Sequence, residues 1–268
     1  MATRITFWGL AAYRITNSQG KVILIDPCLE ENPASPVKVA QLARVDLVLV
    51  THLAFDHLGD TAEIAKKTGC LVVCGAEVKH VLVKRGVDPA QIRTLSWSVQ
   101  LLVAGLRVRS VMSRHSSLGL DPEGRFISGF PMGFILQADP GATIYHSGDT
   151  ALYGDLKLIG ELYKPNIGLI SCCELEKEYL QNHGILDHEA SEMSGDEGAL
   201  AALWLGLEYA LCNHYLYPQN HPDIERFVAM LKDKASPQAA PVKAVVMKAG
   251  DTFVIPPGEV ERAEDGAT

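Results

Sequence analysis

The 268-residue sequence lacks the features that mark several specialised classes of protein. No stretch approaches the roughly 20 apolar residues of a membrane span. The first residues lack the apolar run of a secretory signal. The six cysteines are scattered without a CxxC pair, which favours reduced thiols over a disulfide framework. We therefore expect a cytoplasmic protein without a membrane partner.

Positive charge is also scarce. Lys and Arg total 24 against 32 Asp and Glu, which gives a formal net charge of −8, and no Lys/Arg run exceeds two residues. This balance argues against nucleic acid as a partner. Hydrophobic residues make up 47% of the chain and charged residues 21%, as in an ordinary globular protein with a sizeable core. We expect a single domain over residues 1–268, and homo-oligomerisation stays open.

Short apolar runs bounded by turn signals predict strands, and longer segments between them predict helices. Strands are predicted at 4–8, 11–16, 21–25, 45–50, 71–74, 94–102, 106–112, 133–138, 143–146, 167–171, 208–212 and, as a closing pair, 243–255. Helices are predicted at 37–44, 60–67, 76–85, 151–162, 195–207 and 222–234, with an irregular polar stretch at 172–194. This alternation predicts an α/β fold, with sheets covered by helices on their outer faces.

The stretch Thr51–Asp60 reads THLAFDHLGD and follows a buried strand at 45–50. It places His52, Asp56 and His57 within six residues at a strand end, where a rigid support with an open mouth suits a metal site. A lone histidine is more often structural, but a cluster of this density favours metal ligands. Asp60 and Thr61 are also candidate N-cap residues of the following helix.

Three further side chains stand just after predicted strands. They are His115 after 106–112, Asp149 after 143–146 and His214 after 208–212. Each alone is more readily a surface or core residue. Because the same placement recurs three times, we expect these residues to complete the metal site.

These motifs resemble the metallo-β-lactamase superfamily and, within it, the ascorbate-6-phosphate lactonase-like hydrolases. The family's His-x-His-x-Asp-His loop matches residues 52–57, and its later ligands match His115, Asp149 and His214. The similarity runs from about residue 4 to 255, including a strand that ends in Asp26-Pro27. It implies an αββα sandwich of two mixed β-sheets with helices on the outer faces, and a centre for two metal ions.

Two residues depart from the family pattern. Leu10 follows Gly9 where the branch has a histidine, and Ala54 stands where the family has its second loop histidine. Since alanine has no donor atom, the first metal site is short of a ligand. The second site, which the resemblance assigns to Asp56, His57, Asp149 and His214, is complete. The polar stretch offers possible substitutes, of which His183 and His188 are the foremost, although each is more readily a solvated loop residue. The candidates are Cys172, Cys173, Glu174, Glu176, His183 and His188.

The resemblance implies a hydrolase that acts on a small molecule, such as a lactone, ester, amide or phosphoester. One or two divalent ions per chain, zinc or manganese with iron as an alternative, would activate water. We expect Asp56, Asp149 and His146 to be catalytic, with His146 shuttling a proton, although His146 could equally pack under the sheet. We expect Asp26 and Asp60 to orient imidazoles. Either aspartate could instead serve a turn or a cap. Two alternatives stay open: an iron oxygenase of the same fold, and a non-catalytic metal- or ligand-binding protein.

Substrate specificity is the least determined property. Arg114, Arg125 and Lys177 are candidate anion-binding residues, although each is more readily an ordinary surface charge. Phe126, Phe130, Pro131 and Met132 could form a wall of the pocket or simply pack.

Overall fold

Two β-sheets form the centre of the fold. The structure is a computed structural model, and it describes residues 2–175, 177–183, 192–234, 241–256 and 258–263. The first sheet has eight strands in the spatial order β17-β16-β1-β2-β3-β4-β5-β6. Their bounds are β1 (Thr3–Phe7), β2 (Tyr13–Thr16), β3 (Val22–Ile25), β4 (Leu47–Leu49), β5 (Leu71–Cys74), β6 (Ile92–Thr94), β16 (Thr252–Ile255) and β17 (Glu259–Glu261).

The second sheet has seven strands in the order β15-β14-β13-β12-β11-β8-β7. Their bounds are β7 (Gln100–Val103), β8 (Leu106–Met112), β11 (Met132–Asp139), β12 (Ala142–His146), β13 (Ile167–Ser171), β14 (Tyr209–Asn213) and β15 (Lys243–Val245). A separate hairpin is formed by β9 (Ser117–Leu120) and β10 (Phe126–Gly129). Strands β3 to β6 and β12 to β15 are parallel, so each sheet is mixed.

Seven α-helices connect and cover the strands in the described part of the chain. They are α1 (Phe55–Leu58), α2 (Thr61–Thr68), α3 (Ala76–Lys84), α4 (Leu156–Tyr163), α5 (Lys177–Asn182), α6 (Gly195–Leu205) and α7 (Pro222–Asp233). None of these helices has the length and apolar content needed to cross a membrane.

Apolar side chains fill the space between the sheets and under the helices. Ile5 and Phe7 of β1 share one buried cluster with Val108 of β8 and Phe134 of β11. A second cluster lies on the other face of the first sheet, where β4 packs on α2 and α3. The alternation of buried and exposed residues in β1 fits a strand with one face in the core. The predicted α/β sandwich is confirmed.

Several predicted elements differ from the observed ones. The predicted helix at 37–44 is only a short 3₁₀ turn, Val39–Gln41, in which no residue is buried. The predicted strand at 94–102 is two strands, β6 and β7, which belong to different sheets. The predicted closing pair is likewise divided, since β15 extends the second sheet and β16 the first. Residues 177–182 of the stretch predicted to be irregular form α5.

Candidate metal centre

The carboxyl ends of strands from both sheets meet at one edge of the sandwich. Asp26 follows β3, His52 follows β4, Asp149 follows β12 and His214 follows β14. Parallel neighbours end at the same edge, so residues far apart in sequence become adjacent in space. His115, after β8, joins them from the second sheet.

Four side chains at this edge form a compact group. We call it the second set, because its residues are those that the family resemblance assigns to the second metal site. One ligand atom from each of Asp56, His57, Asp149 and His214 lies within 4.8 Å of the others, and all four residues are buried. Asp149 Oδ2 lies 2.9 Å from His57 Nε2 and 3.4 Å from His214 Nε2. Asp56 Oδ2 lies 3.3 Å from His214 Nε2. Two imidazoles and two carboxylates in this arrangement can hold a divalent cation.

The first set contains only His52, His115 and Asp149, again within 4.8 Å of one another. Ala54 lines the same cavity but offers no donor atom. His52 Nε2 is buried and has no hydrogen-bond partner among the described residues, so it is an orphaned donor or acceptor at this position. Its nearest carboxylate oxygen, Asp149 Oδ2, is 3.8 Å away. A three-ligand metal site fits these residues.

Hydrogen bonds fix the tautomers of the histidines. His57 Nδ1 donates to Asp26 Oδ2 at 2.8 Å, and His214 Nδ1 donates to the Cys173 carbonyl at 3.0 Å. Since both Nδ1 atoms then carry the proton, both Nε2 atoms present lone pairs to the shared space when the rings are neutral. The predicted residues are thus brought together with their metal-binding atoms facing one point.

Thr51 links the two sets. Its backbone N–H donates to Asp26 Oδ1 at 2.8 Å and its hydroxyl donates to Asp26 Oδ2 at 2.7 Å. The same hydroxyl can accept from His52 Nδ1, 3.0 Å away. Asp26 therefore positions His57 directly and His52 through Thr51.

Burial and charge perturb the pKa values in opposite directions in the two sets. Burial, helped by the neighbouring His57, lowers the pKa of His52 to about 3. Burial would also lower the pKa of His57 and of His214. At both histidines, however, the nearby carboxylates, above all Asp149, outweigh burial. They raise the pKa of His57 well above its usual range and the pKa of His214 to about 10. The same histidines outweigh burial at Asp149 and hold its pKa well below its usual range.

The backbone at the centre is strained at one proposed ligand, His214, and at Asp26, which orients His57. Asp26 has φ of 44° and His214 has φ of 74°, a region that side-chain-bearing residues seldom adopt. Such strain is held in place by surrounding contacts and is common at functional sites. Gly59 ends α1 with φ of 45°, and a Cβ there would lie 2.5 Å from the Pro27 carbonyl. Glycine lets the loop of residues 51–60 pack against the segment after β3.

A cavity of about 620 Å³ opens onto the centre. Asp56, His115, Asp149 and His214 line it, so both sets are accessible from the same space. Its volume lies in the range of sites for small molecules.

Some predicted residues are placed otherwise. Asp60 directly precedes α2 and its carbonyl accepts from the Ile64 N–H at 3.0 Å, but its side chain makes no capping hydrogen bond. Its carboxylate accepts from the backbone N–H groups of Leu29 and Glu30 at 2.7 and 3.0 Å, so it stabilises a turn. His146 is buried off the cavity and lies 3.2 Å from Asp26 Oδ2 through Nε2. This position does not support the predicted proton shuttle, because the ring does not reach the cavity. It fits a positioning role instead.

The predicted substitute ligands do not complete the first set within the described residues. His183 lines the cavity, but its ring stacks on Phe55 with 4.1 Å between centroids and belongs to neither set. Glu174 also lines the cavity, whereas Cys172 and Cys173 are buried in the core cluster. His188 and Glu176 lie outside the described residues.

Leu10, at the other departure from the family pattern, supports the centre through its backbone. Its carbonyl accepts from the His214 N–H at 2.8 Å, and its side chain joins a small apolar cluster with Leu175 and Tyr179.

The predicted anion-binding residues do not line the cavity. The Arg114 guanidinium lies over the Tyr153 ring, 5.4 Å from its centroid, and Arg125 pairs with Asp121 at 2.8 Å. Lys177 begins α5 with an exposed side chain.

Sequence reasoning missed three residues that support the centre. Thr51 is described above, and Ser171 donates to Asp149 Oδ1 at 2.8 Å. Glu192 Oε2 lies 3.9 Å from His214 Nδ1 and lines the cavity. Ser171 is the last residue of β13, so the strand-end rule that identified Asp149 and His214 could also have found it. Glu192 lies in a region without a sequence pattern.

The chain is similar to known metal-dependent proteins. The model of the beta-lactamase superfamily domain matches residues 21–215. A UPF0173 metal-dependent hydrolase of Rubrobacter xylanophilus is 35% identical over 214 residues, which cover 80% of this chain and 81% of that protein. One from Caldivirga maquilingensis is also 35% identical, over 250 residues that cover 92% and 96%.

Solved structures show the same architecture. Igni18, a metallo hydrolase from Ignicoccus hospitalis, superposes with a TM-score of 0.73 at 25% identity, covering 95% of this chain and 99% of that one. An isothiocyanate hydrolase from Delia radicum gut bacteria gives a TM-score of 0.65 at 20% identity and coverage of 93% and 97%. At that identity the likeness concerns the fold alone.

Proposed function

Because the chain belongs to the UPF0173 metal-dependent hydrolases of the β-lactamase superfamily, we propose that it hydrolyses a small molecule at the second set. One observation carries this proposal: Asp56, His57, Asp149 and His214 offer four buried ligand atoms within 4.8 Å at the base of an open cavity. The narrower lactonase-like specificity stays a prediction, as does the choice among a lactone, an ester, an amide and a phosphoester.

The donor set favours particular metals. Two imidazole nitrogens and two carboxylate oxygens suit zinc, and manganese also accepts such oxygens. We propose one firmly bound ion in the second set, and weaker binding in the first set because Ala54 offers no ligand atom. A divalent ion held there would supply Lewis acidity to water and to the electrophilic bond of the substrate.

The residues of the chain have distinct roles in this proposal. Asp149 belongs to both sets and, with its depressed pKa, stays a carboxylate that can orient a water molecule. Asp56, whose Oδ2 lies 3.3 Å from His214 Nε2, would be a further ligand of that ion. Ser171 fixes the second oxygen of Asp149, while Asp26 fixes the tautomer of His57. His146 holds the Asp26 carboxylate through its Nε2, which lies 3.2 Å from Asp26 Oδ2.

One observation favours a second candidate. His52, His115 and Asp149 form a two-histidine, one-carboxylate set, which is typical of non-haem iron oxygenases. In that reaction the second set would have no assigned role, so we rank it below hydrolysis.

We also propose that residues 1–268 form a single domain. Strand β1 pairs with β16, so the two ends of the residue range 3–255 share one sheet.

The test separates the two sets. The purified protein is stripped of metal, reloaded with zinc, manganese or iron, and assayed for bound metal and for turnover of lactones, esters, amides and phosphoesters. We expect about one tightly bound ion per chain and hydrolysis with zinc or manganese. His214→Ala should lose both, whereas His115→Ala should keep most of its metal. Oxygen consumption with iron would favour the oxygenase, and tight metal without any turnover would contradict an enzyme.

A further inference from the structure

The walls of the cavity are mainly apolar beyond the proposed metal ligands. Six apolar lining residues come from separate parts of the chain: Phe55 and Leu58 of α1, Leu175 and Leu180 of the segment after β13, and Leu118 and Leu120 of the β9–β10 hairpin. Asp56, Asp149 and His214 line the same space. A molecule with its reacting bond at the metal ligands would therefore have hydrocarbon surface beside the remainder of its structure.

The charged groups of the cavity disfavour an anionic substrate. Besides Asp56 and Asp149, the carboxylates of Glu174 and Glu192 line the cavity. Arg85 is the single Lys or Arg among the described lining residues. These four carboxyl side chains outnumber the single guanidinium, so a phosphate or carboxylate on the substrate would lie mainly among groups of like charge.

The hairpin is fixed to the loop of residues 51–60. The hydroxyl of Ser117 donates to Glu77 Oε1 at 2.8 Å and accepts from the Leu53 N–H at 3.1 Å. Gly119 lies so close to Leu53 that a Cβ would be 3.0 Å from its side chain. Because Ser117 and Gly119 hold the hairpin against this loop, the hairpin is a preformed wall of the cavity.

The outer face of the hairpin continues the apolar surface out of the cavity. Leu118 and Leu120 are 52% and 53% exposed, although both line the cavity. Phe126, directly opposite Leu120 in the strand pairing, is 81% exposed. Contiguous exposed apolar side chains of this kind mark ligand-binding or interaction sites. Because this surface is continuous with the cavity, a ligand in the cavity can extend onto it.

We propose that the substrate carries an uncharged apolar arm, an alkyl or acyl chain or a ring, that lies between Phe55 and the leucines of the hairpin. This inference rests on the proposed function, since it places the reacting bond at the second set. Leu118 and Leu120 are then specificity-determining residues. The class that fits best is a lactone, ester or amide with a hydrocarbon substituent, and sugar phosphates fit poorly.

The test uses hydroxamates, which chelate a protein-bound metal without being turned over. Acetohydroxamate and octanohydroxamate are titrated calorimetrically into the metal-loaded full-length protein, and bound metal is measured after each titration. A fully buried methylene improves affinity about fourfold, so we expect the eight-carbon probe to bind at least about thirtyfold more tightly than the two-carbon probe with a partly buried chain. A probe of the same length that ends in a carboxylate should bind at least about tenfold more weakly than octanohydroxamate.

Matched variants place the effect on the hairpin. The double variant Leu118→Asp, Leu120→Asp should reduce the chain-length ratio to a few-fold while it still binds acetohydroxamate, and Leu120→Met should keep the ratio. Leu102→Asp is the control, because Leu102 is a 78% exposed leucine of β7 outside the cavity. It should behave as the unaltered protein.

The outcomes separate the two proposals. If both hydroxamates bind equally, or if the carboxylate probe binds more tightly, the proposal of an apolar arm is contradicted. The proposed metal site is then unaffected. If neither probe binds although the metal is retained, the metal is closed to ligands and the proposed function fails. If the ratio survives in the double variant, the arm does not lie on the hairpin.

Discussion

The two halves of the metal centre share Asp149 but differ in completeness. The second set has four buried residues, and its histidines are oriented by Asp26 and by the Cys173 carbonyl. The first set has three residues, and His115 is only partly buried. The difference arises at one position, Ala54, which lies between the ligands of the two sets in the same loop. A single residue can therefore change the metal capacity of the centre and leave the supporting hydrogen bonds in place.

The sets also differ in charge. In the metal-free protein, the carboxylates keep His57 and His214 protonated, because they raise the pKa of both imidazoles. His52 stays neutral, since its pKa is lowered to about 3. The second set thus offers two carboxylates to a cation that displaces the imidazole protons, while the first set has one carboxylate only, and that one is shared. This contrast predicts which set fills first.

The largest expected effect is that of removing the shared carboxylate. Asp149→Ala should abolish tight metal binding, because it takes one ligand from each set and leaves three and two residues. Bound metal per chain is measured after dialysis against metal-free buffer. Asp155→Ala, at an exposed aspartate six residues further on, is the control and should keep its metal. Full metal content in Asp149→Ala would show that the bridge is assigned wrongly.

The placement of the ligands could be predicted because the fold follows simple rules. Buried valine- and leucine-rich strands such as Leu47–Leu49 are recognisable in sequence, and parallel neighbours end at one edge. The residues after predicted strand ends, His115, Asp149 and His214, are candidates by their position alone. The superfamily resemblance then supplied which of them act together.

The parts that could not be predicted depend on packing rather than on local pattern. The sequence of the β9–β10 hairpin has no regular alternation, and its position follows from the Ser117 and Glu77 contacts. Asp60 stands at a helix start, yet the nearby turn at Leu29 and Glu30 uses its carboxylate. His221 lies outside every sequence motif, yet it is buried and its Nδ1 accepts from the Asp223 N–H at the start of α7. These contacts depend on tertiary packing, which local sequence patterns do not determine.

The contrast between the sets can be removed by restoring the missing ligand. Ala54→His should raise the metal content from about one towards two ions per chain, because the first set then has three histidines and the shared carboxylate. Quantitative metal analysis and calorimetric titration give the stoichiometry. Ala54 precedes α1 with extended backbone angles that histidine also adopts, and it lines the cavity.

The matched control for that variant is Ala54→Leu, which adds volume without a donor atom. It should keep the stoichiometry of the unaltered protein. Unchanged stoichiometry in Ala54→His would mean that another residue already completes the first set, and two ions in the unaltered protein would mean the same.

The smallest expected effect concerns protons released on metal binding. At pH 7.5 the raised pKa values of His57 and His214 keep both rings protonated without metal, so a cation entering the second set must displace about one or two protons, and affinity should rise with pH. His52 is already neutral there, because its lowered pKa of about 3 lies far below. The second equivalent bound by Ala54→His should therefore release fewer protons than the first. Calorimetry in buffers of different ionisation enthalpy measures both numbers, and equal release by the two equivalents would contradict the electrostatic difference between the sets.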